Sequence, residues 1–237
     1  MTVFYDAVES EYYAACVDQL LLARDGAASG GADIMELGVG TGEALARVLR
    51  RARFGGTVHG FERDPESYAY ARKAIASEGV SEHYLVHPGD FFDAVEGRPL
   101  HCAVSNPPYL PGPAARRLFP SLWGGDCGND VSKRVLSCGF RLVVLMVSSF
   151  SDPIDTLAHA ARCGYRLREW VVRPIELGRY SREPAVHRHV ERLAGEGRAF
   201  VSGTSYLLAG VSWTTDGDAE DHSRSLADVL SAFGLSR

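Results

Sequence analysis

Ile34-Met35-Glu36-Leu37-Gly38-Val39-Gly40-Thr41-Gly42-Glu43-Ala44-Leu45-Ala46-Arg47-Val48-Leu49 is the stretch that decides the fold. The run from Ala32 to Leu37 reads as a strand. From Glu43 onward Leu45, Val48 and Leu49 fall on one helical stripe. A glycine-rich turn between them lets a ligand approach the backbone closely, because no Cβ fends it off. By itself Gly-x-Gly-x-Gly does not distinguish a dinucleotide from any other nucleoside. The segments that follow sharpen the reading. Thr57 to Glu62 reads as the next strand and ends in a carboxylate, which can accept from both hydroxyls of a ribose. Tyr84-Leu85-Val86 is strand-like and leads to Gly89-Asp90-Phe91. There a carboxylate can accept from an adenine amine and an aromatic can cover the ring.

Ser105-Asn106-Pro107-Pro108-Tyr109 follows the apolar run Cys102-Ala103-Val104, a short buried strand opening into a loop. Two prolines supply no N–H and each fixes its own φ, while Pro108 keeps Pro107 out of the helical region. The turn is stiff, and the Pro107 carbonyl points out of it. With the Asn106 side-chain oxygen beside that carbonyl, two acceptors converge, and the Tyr109 ring forms a flat wall. This suits a planar group bearing an NH2, either a carboxamide or the exocyclic amine of a base.

Together these residues resemble the class I S-adenosylmethionine-dependent methyltransferases, over roughly Ile34 to Phe150, and Asn-Pro-Pro-Tyr resembles their amino-methylating branch. Within that branch the pattern looks most like the HemK-like glutamine N5-methyltransferases of release factors, whose glycine segment Gly124-Gly125-Asp126-Cys127-Gly128 matches. The resemblance implies a single Rossmann-like three-layer αβα domain, with a seven-stranded, mostly parallel sheet carrying one antiparallel strand. It implies S-adenosyl-L-methionine as cofactor and S-adenosyl-L-homocysteine as product. The implied cofactor-binding residues are Glu36, Gly38, Gly40, Thr41, Gly42, Glu62, Asp90, Phe91 and Asn106; the implied catalytic set is Asn106, Pro107, Pro108 and Tyr109. A leading helical segment, 1–31, is expected over the cofactor site, with Tyr5 or Tyr12 as candidate lining. The methyltransferase domain is expected over 32–213, with a polar insertion at 176–204 as a substrate or oligomer element, and an appendage at 214–237. Bacterial release-factor enzymes carry a helical substrate domain before the glycine loop. Only some thirty residues precede the loop here, as in shorter archaeal and eukaryotic relatives, some of which need a small partner protein.

Composition narrows the partners. The 237 residues carry a net charge of −5, with 46% hydrophobic and 23% charged residues, ordinary for a globular chain. No apolar stretch reaches the roughly 18 residues of a membrane span, and no signal peptide is evident, so a cytoplasmic protein without membrane contact is expected. Five scattered cysteines read as reduced thiols, and no metal site is expected, even at His187-x-His189. Lys73 and Lys133 are the only lysines, and the acidic balance disfavours nucleic acid, leaving Arg116-Arg117 as the best local patch. The expected acceptor is a small-molecule metabolite or a protein glutamine side chain. Oligomerisation and a partner protein stay open. The alternatives are an adenine-N6 methyltransferase on DNA or RNA and a non-catalytic nucleotide-binding domain. A dinucleotide oxidoreductase would leave the proline loop unexplained.

Overall fold

A computed structural model describes residues 6–23, 33–96 and 101–234. Tyr5 and much of the expected leading segment lie outside them. The chain divides into two compact units, Met1–Asn106 with Phe140–Val144, and Pro107–Gly139 with Leu145–Arg237.

The first unit alternates strand and helix, as the sequence predicts. Helix α1 (Ala7–Val17) starts at Asp6, whose side chain accepts from the Val8 and Glu9 N–H groups, and runs into a π-helical turn, Asp18–Leu22. Strand β1 (Ile34–Leu37) leads through the glycine loop to α2 (Glu43–Ala52), which buries Leu45, Val48 and Leu49, the stripe read from spacing. Ion pairs Arg47–Glu11 and Arg51–Asp18 join α2 to the leading segment. Next come β2 (Val58–Glu62), α3 (Pro65–Ser77), β3 (Tyr84–Pro88), α4 (Phe91–Val95) and β4 (Cys102–Ser105). Asp64 caps α3 by accepting from the Ser67 N–H, with Pro65 in the first turn, where a missing N–H costs nothing. Strands β1, β2, β3 and β4 pair in parallel, with Leu37 opposite both Phe61 and Ser105.

The second unit contains α5 (Gly112–Leu118), a 3₁₀ turn (Pro120–Leu122) and α6 (Asp130–Leu136). Strand β5 (Leu142–Ser148), buried along its whole length, begins in the first unit and ends in this one. There follow α7 (Pro153–Arg162), β6 (Arg166–Glu176), α8 (Pro184–Gly195), β7 (Val201–Ser202), β8 (Ser205–Thr214) and α9 (Ser223–Phe233). Through the shared strand the order is β3-β2-β1-β4-β5-β8-β6, a seven-strand path, with β7 added on β8. Strands β6 and β8 are antiparallel, with a register shift between Leu167 and Glu169. The stretch predicted as a polar insertion contains α8, an amphipathic helix capped by Glu183 that buries Val186, Val190 and Leu193. Helix α9 buries Leu226 and Leu230 and is tied to β6 by Trp170 Nε1–H donating to Ser225 Oγ at 3.3 Å. No helix of the described residues is long and apolar enough to cross a membrane.

Candidate active site

Parallel pairing brings the carboxyl ends of β1, β2 and β4 side by side in the first unit, where open α/β sheets hold their ligands. Gly38, Gly40 and Gly42 have φ of 76°, 57° and 69°, so the loop needs glycine at each. Among the described residues a Cβ at Gly38 or Gly40 would meet nothing within 4 Å, whereas one at Gly42 would press on Ile75 and Val39. The first two glycines thus face open space and the third packs inward. Thr41 is buried beside them. Glu62, half-buried, orders the loop: its Oε2 accepts from the Gly40 N–H at 3.1 Å and its Oε1 from the Asp64 N–H at 3.0 Å. Each carboxylate oxygen keeps a further lone pair. Asp90 Oδ1 caps α4 by accepting from the Phe92 N–H at 2.8 Å, and Oδ2 lies 3.6 Å from Arg63.

Two candidates take positions the sequence did not anticipate. Phe91 is buried, edge-on to Phe61 and stacked on Phe140; Phe92 is the half-exposed ring at that corner. Glu36 is 1% exposed and held between two phenols: Tyr13 OH donates to Oε1 at 2.9 Å and Tyr84 OH donates to Oε2. Burial pushes its carboxyl up to about 7, against the lowering effect of the two hydroxyls. Tyr13 is thus a leading-segment aromatic that reaches β1, while Tyr5 lies outside the described residues. Gly60 was read only as a strand residue. A Cβ there would collide with Val39 and crowd Tyr84 and Glu36, so its bareness seats the carboxylate.

Asn106 continues β4. Ser105 Oγ donates to the Leu37 carbonyl at 2.8 Å, and since Leu37 precedes Gly38, Asn106 stands beside the glycine loop. Its Oδ1 is buried without a hydrogen-bond partner among the described residues. A desolvated acceptor of this kind costs free energy unless a donor arrives.

The rest of the loop is fixed within the second unit. Pro107 is buried. Ser151 Oγ donates to the Tyr109 carbonyl at 2.9 Å. The Tyr109 hydroxyl lies 3.2 Å from that of Tyr206, and Phe150 meets both rings edge-on. A Cβ at Gly124 would fall 2.5 Å from the Pro108 carbonyl oxygen and 2.7 Å from Tyr109 Cα; one at Gly128 would strike the Tyr109 carbonyl. The Gly124 N–H donates to Leu110 at 3.0 Å and the Gly112 N–H to Gly125 at 3.0 Å. The glycine segment is therefore a backing strip pressed against the proline turn. The polar stretch joins it through His189, whose Nε2 lies 2.7 Å from the Asp126 carbonyl and whose ring occupies the space a Cβ on Gly112 would need. No group of three metal-ligating side chains occurs among the described residues, His187 and His189 included.

Strand order and the glycine loop after β1 define a Rossmann-like α/β fold, and it is the fold of S-adenosylmethionine-dependent methyltransferases. The hMettl16 catalytic domain in complex with the MAT2A 3′UTR hairpin 1 matches with a TM-score of 0.56 at 12% identity, over 92% of this chain and 73% of that one. A Geobacter sulfurreducens S-adenosylmethionine-dependent methyltransferase in complex with S-adenosyl-L-homocysteine matches with a TM-score of 0.50 at 15% identity, over 86% and 90%. In sequence, the release factor glutamine methyltransferase of Gloeobacter violaceus is 28% identical over 159 residues, 59% of this chain and 55% of that protein. The chain thus spans about half the length of the curated relative it matches. No family model matches the sequence.

Proposed function

We propose that this protein is an S-adenosylmethionine-dependent N-methyltransferase acting on a planar amide or amine nitrogen, in a small molecule or a protein glutamine side chain. The observation that carries the reading is the Asn106 Oδ1 acceptor, buried and unpartnered, next to a glycine loop whose first two residues face open space. The residues fit the cofactor: Gly38 and Gly40 admit it to the backbone, Glu62 accepts from ribose hydroxyls, and Asp90 accepts from the adenine amine. Phe92 replaces Phe91 as the ring beside the base.

When bound, S-adenosylmethionine would supply a sulfonium methyl for transfer to the acceptor nitrogen, with the thioether sulfur keeping the electron pair of the broken bond and the nitrogen's surplus proton passing to water. The chain's own residues position the nitrogen. Asn106 Oδ1 and the Pro107 carbonyl accept from the acceptor NH2, turning its lone pair toward the methyl and pushing electron density onto it. Tyr109 walls the plane. Alignment of this kind is worth on the order of 7 to 11 kcal/mol, so no general base is required.

Titration calorimetry tests the cofactor: S-adenosylmethionine or S-adenosylhomocysteine binds and NAD does not, and the reverse would overturn the assignment. Asn106→Ala is expected to keep cofactor affinity within about threefold while lowering turnover by roughly a hundredfold or more, in the range lost with a single preorganised polar contact.

A further inference from the structure

We infer that the surface beside the acceptor loop docks an acidic polypeptide segment that carries the acceptor amide. This deepens the reading above and rests on it.

Some arginines elsewhere in the described residues have acidic partners, among them Arg47 with Glu11, Arg50 with Glu78, and Arg162 with Asp155. Arg116, Arg117 and Arg179 are exposed, and no carboxylate of the described residues pairs with them. They also gather in one place. The Arg116 guanidinium lies over the Trp123 ring at 5.0 Å, and Trp123 bridges Leu110, the residue after Tyr109. Phe119, just past α5 with its Arg116 and Arg117, meets Tyr180 edge-on at 4.9 Å, which brings the backbone next to Arg179 close to the end of that helix. Leu118, 41% exposed, lies among them.

The chemistry favours carboxylates on a peptide. Guanidinium forks pair bidentately with carboxylates and shed water more readily than ammonium groups. Single-stranded nucleic acid would require open ring faces for stacking. Here Arg116 covers a face of Trp123, and Phe119 and Tyr180 are turned edge to face. The chain's negative charge also opposes a long polyanion more than a short acidic segment. Three exposed ion pairs of ordinary strength amount to about a tenfold change in affinity.

The test uses the full chain and short fluorescent peptides, each with one glutamine flanked by Glu, Ser or Lys, and a labelled single-stranded RNA. Anisotropy reads docking without any methyl transfer; radiolabel from S-adenosylmethionine reads transfer. The Glu-flanked peptide is expected to bind at least tenfold more tightly than the Lys-flanked one and to lose affinity with added salt. Arg117→Glu/Arg179→Glu, and separately Arg116→Glu, abolish that preference with cofactor affinity and melting temperature unchanged. In the transfer assay KM rises while kcat stays within about twofold. Equal binding of the three peptides, indifference to charge reversal, or tighter binding of the RNA would overturn the inference. Arginine-dependent docking of the Glu-flanked peptide without transfer to any peptide would uphold the surface and count against the proposed acceptor.

Discussion

At the scale of single residues, Asn106 and Glu36 show how a buried polar group differs when it is and is not satisfied. Asn106 Oδ1 has no partner among the described residues, a state that costs about 1–3 kcal/mol. Asn106→Ala is therefore expected to leave the melting temperature of the ligand-free protein unchanged or raised while turnover collapses. A loss of stability matching the loss of activity would make Asn106 a structural residue. Glu36 is satisfied twice, yet burial raises its carboxyl from the ordinary 4.5 to about 7. In this window the unfolded chain releases the proton and the folded chain keeps it, so this group's contribution to stability falls as pH rises from about 4.5 to about 7. Glu36→Gln has no such titration. Its stability relative to wild type should rise across that window by on the order of 1 to 3 kcal/mol, measured by urea unfolding at several pH values. A pH-independent difference would refute the shift.

At the scale of elements, the proline turn depends on its glycine backing. Gly124→Ala forces a methyl into the Pro108 carbonyl and Tyr109 Cα, and is expected to cost about 1–3 kcal/mol in unfolding experiments and to impair transfer more than cofactor binding. The alternation of strands and helices and the glycine cradle were legible in the sequence because both rest on local signals: periodicity, caps and glycine spacing. Leu45, Val48 and Leu49, one stripe in the spacing, are buried together on α2. What was not legible depended on contacts distant in sequence. Glu36 is enclosed by Tyr13 and Tyr84, and Tyr109 is met by Tyr206, each partner on another element. Phe91 illustrates a finer loss. On a helix adjacent residues point about 100° apart, and the Asp90 cap sets that turn so that Phe91 faces inward. The amphipathic α8 lay unrecognised in a stretch dominated by its polar residues.

At the scale of the whole molecule, ligand binding should register as stability. S-adenosylhomocysteine at a hundred times its dissociation constant is expected to add about 2.7 kcal/mol by mass action, read as a rise in melting temperature that NAD does not produce. Arg198 supplies a second global readout. Its guanidinium grips Asp152, a 4% exposed residue with φ of 47° at the start of α7, at 2.6 and 2.7 Å. Arg198→Ala strands that carboxylate, and with the arginine itself partly exposed the expected cost is about 1–3 kcal/mol by thermal denaturation. The Tyr13–Glu36 bond bears on how the gene can be shortened. A clone trimmed to start just before β1 would discard one of the acid's two hydroxyl donors along with α1. It should give poorly soluble material at neutral pH, and pairing the trim with Glu36→Gln should recover part of the yield.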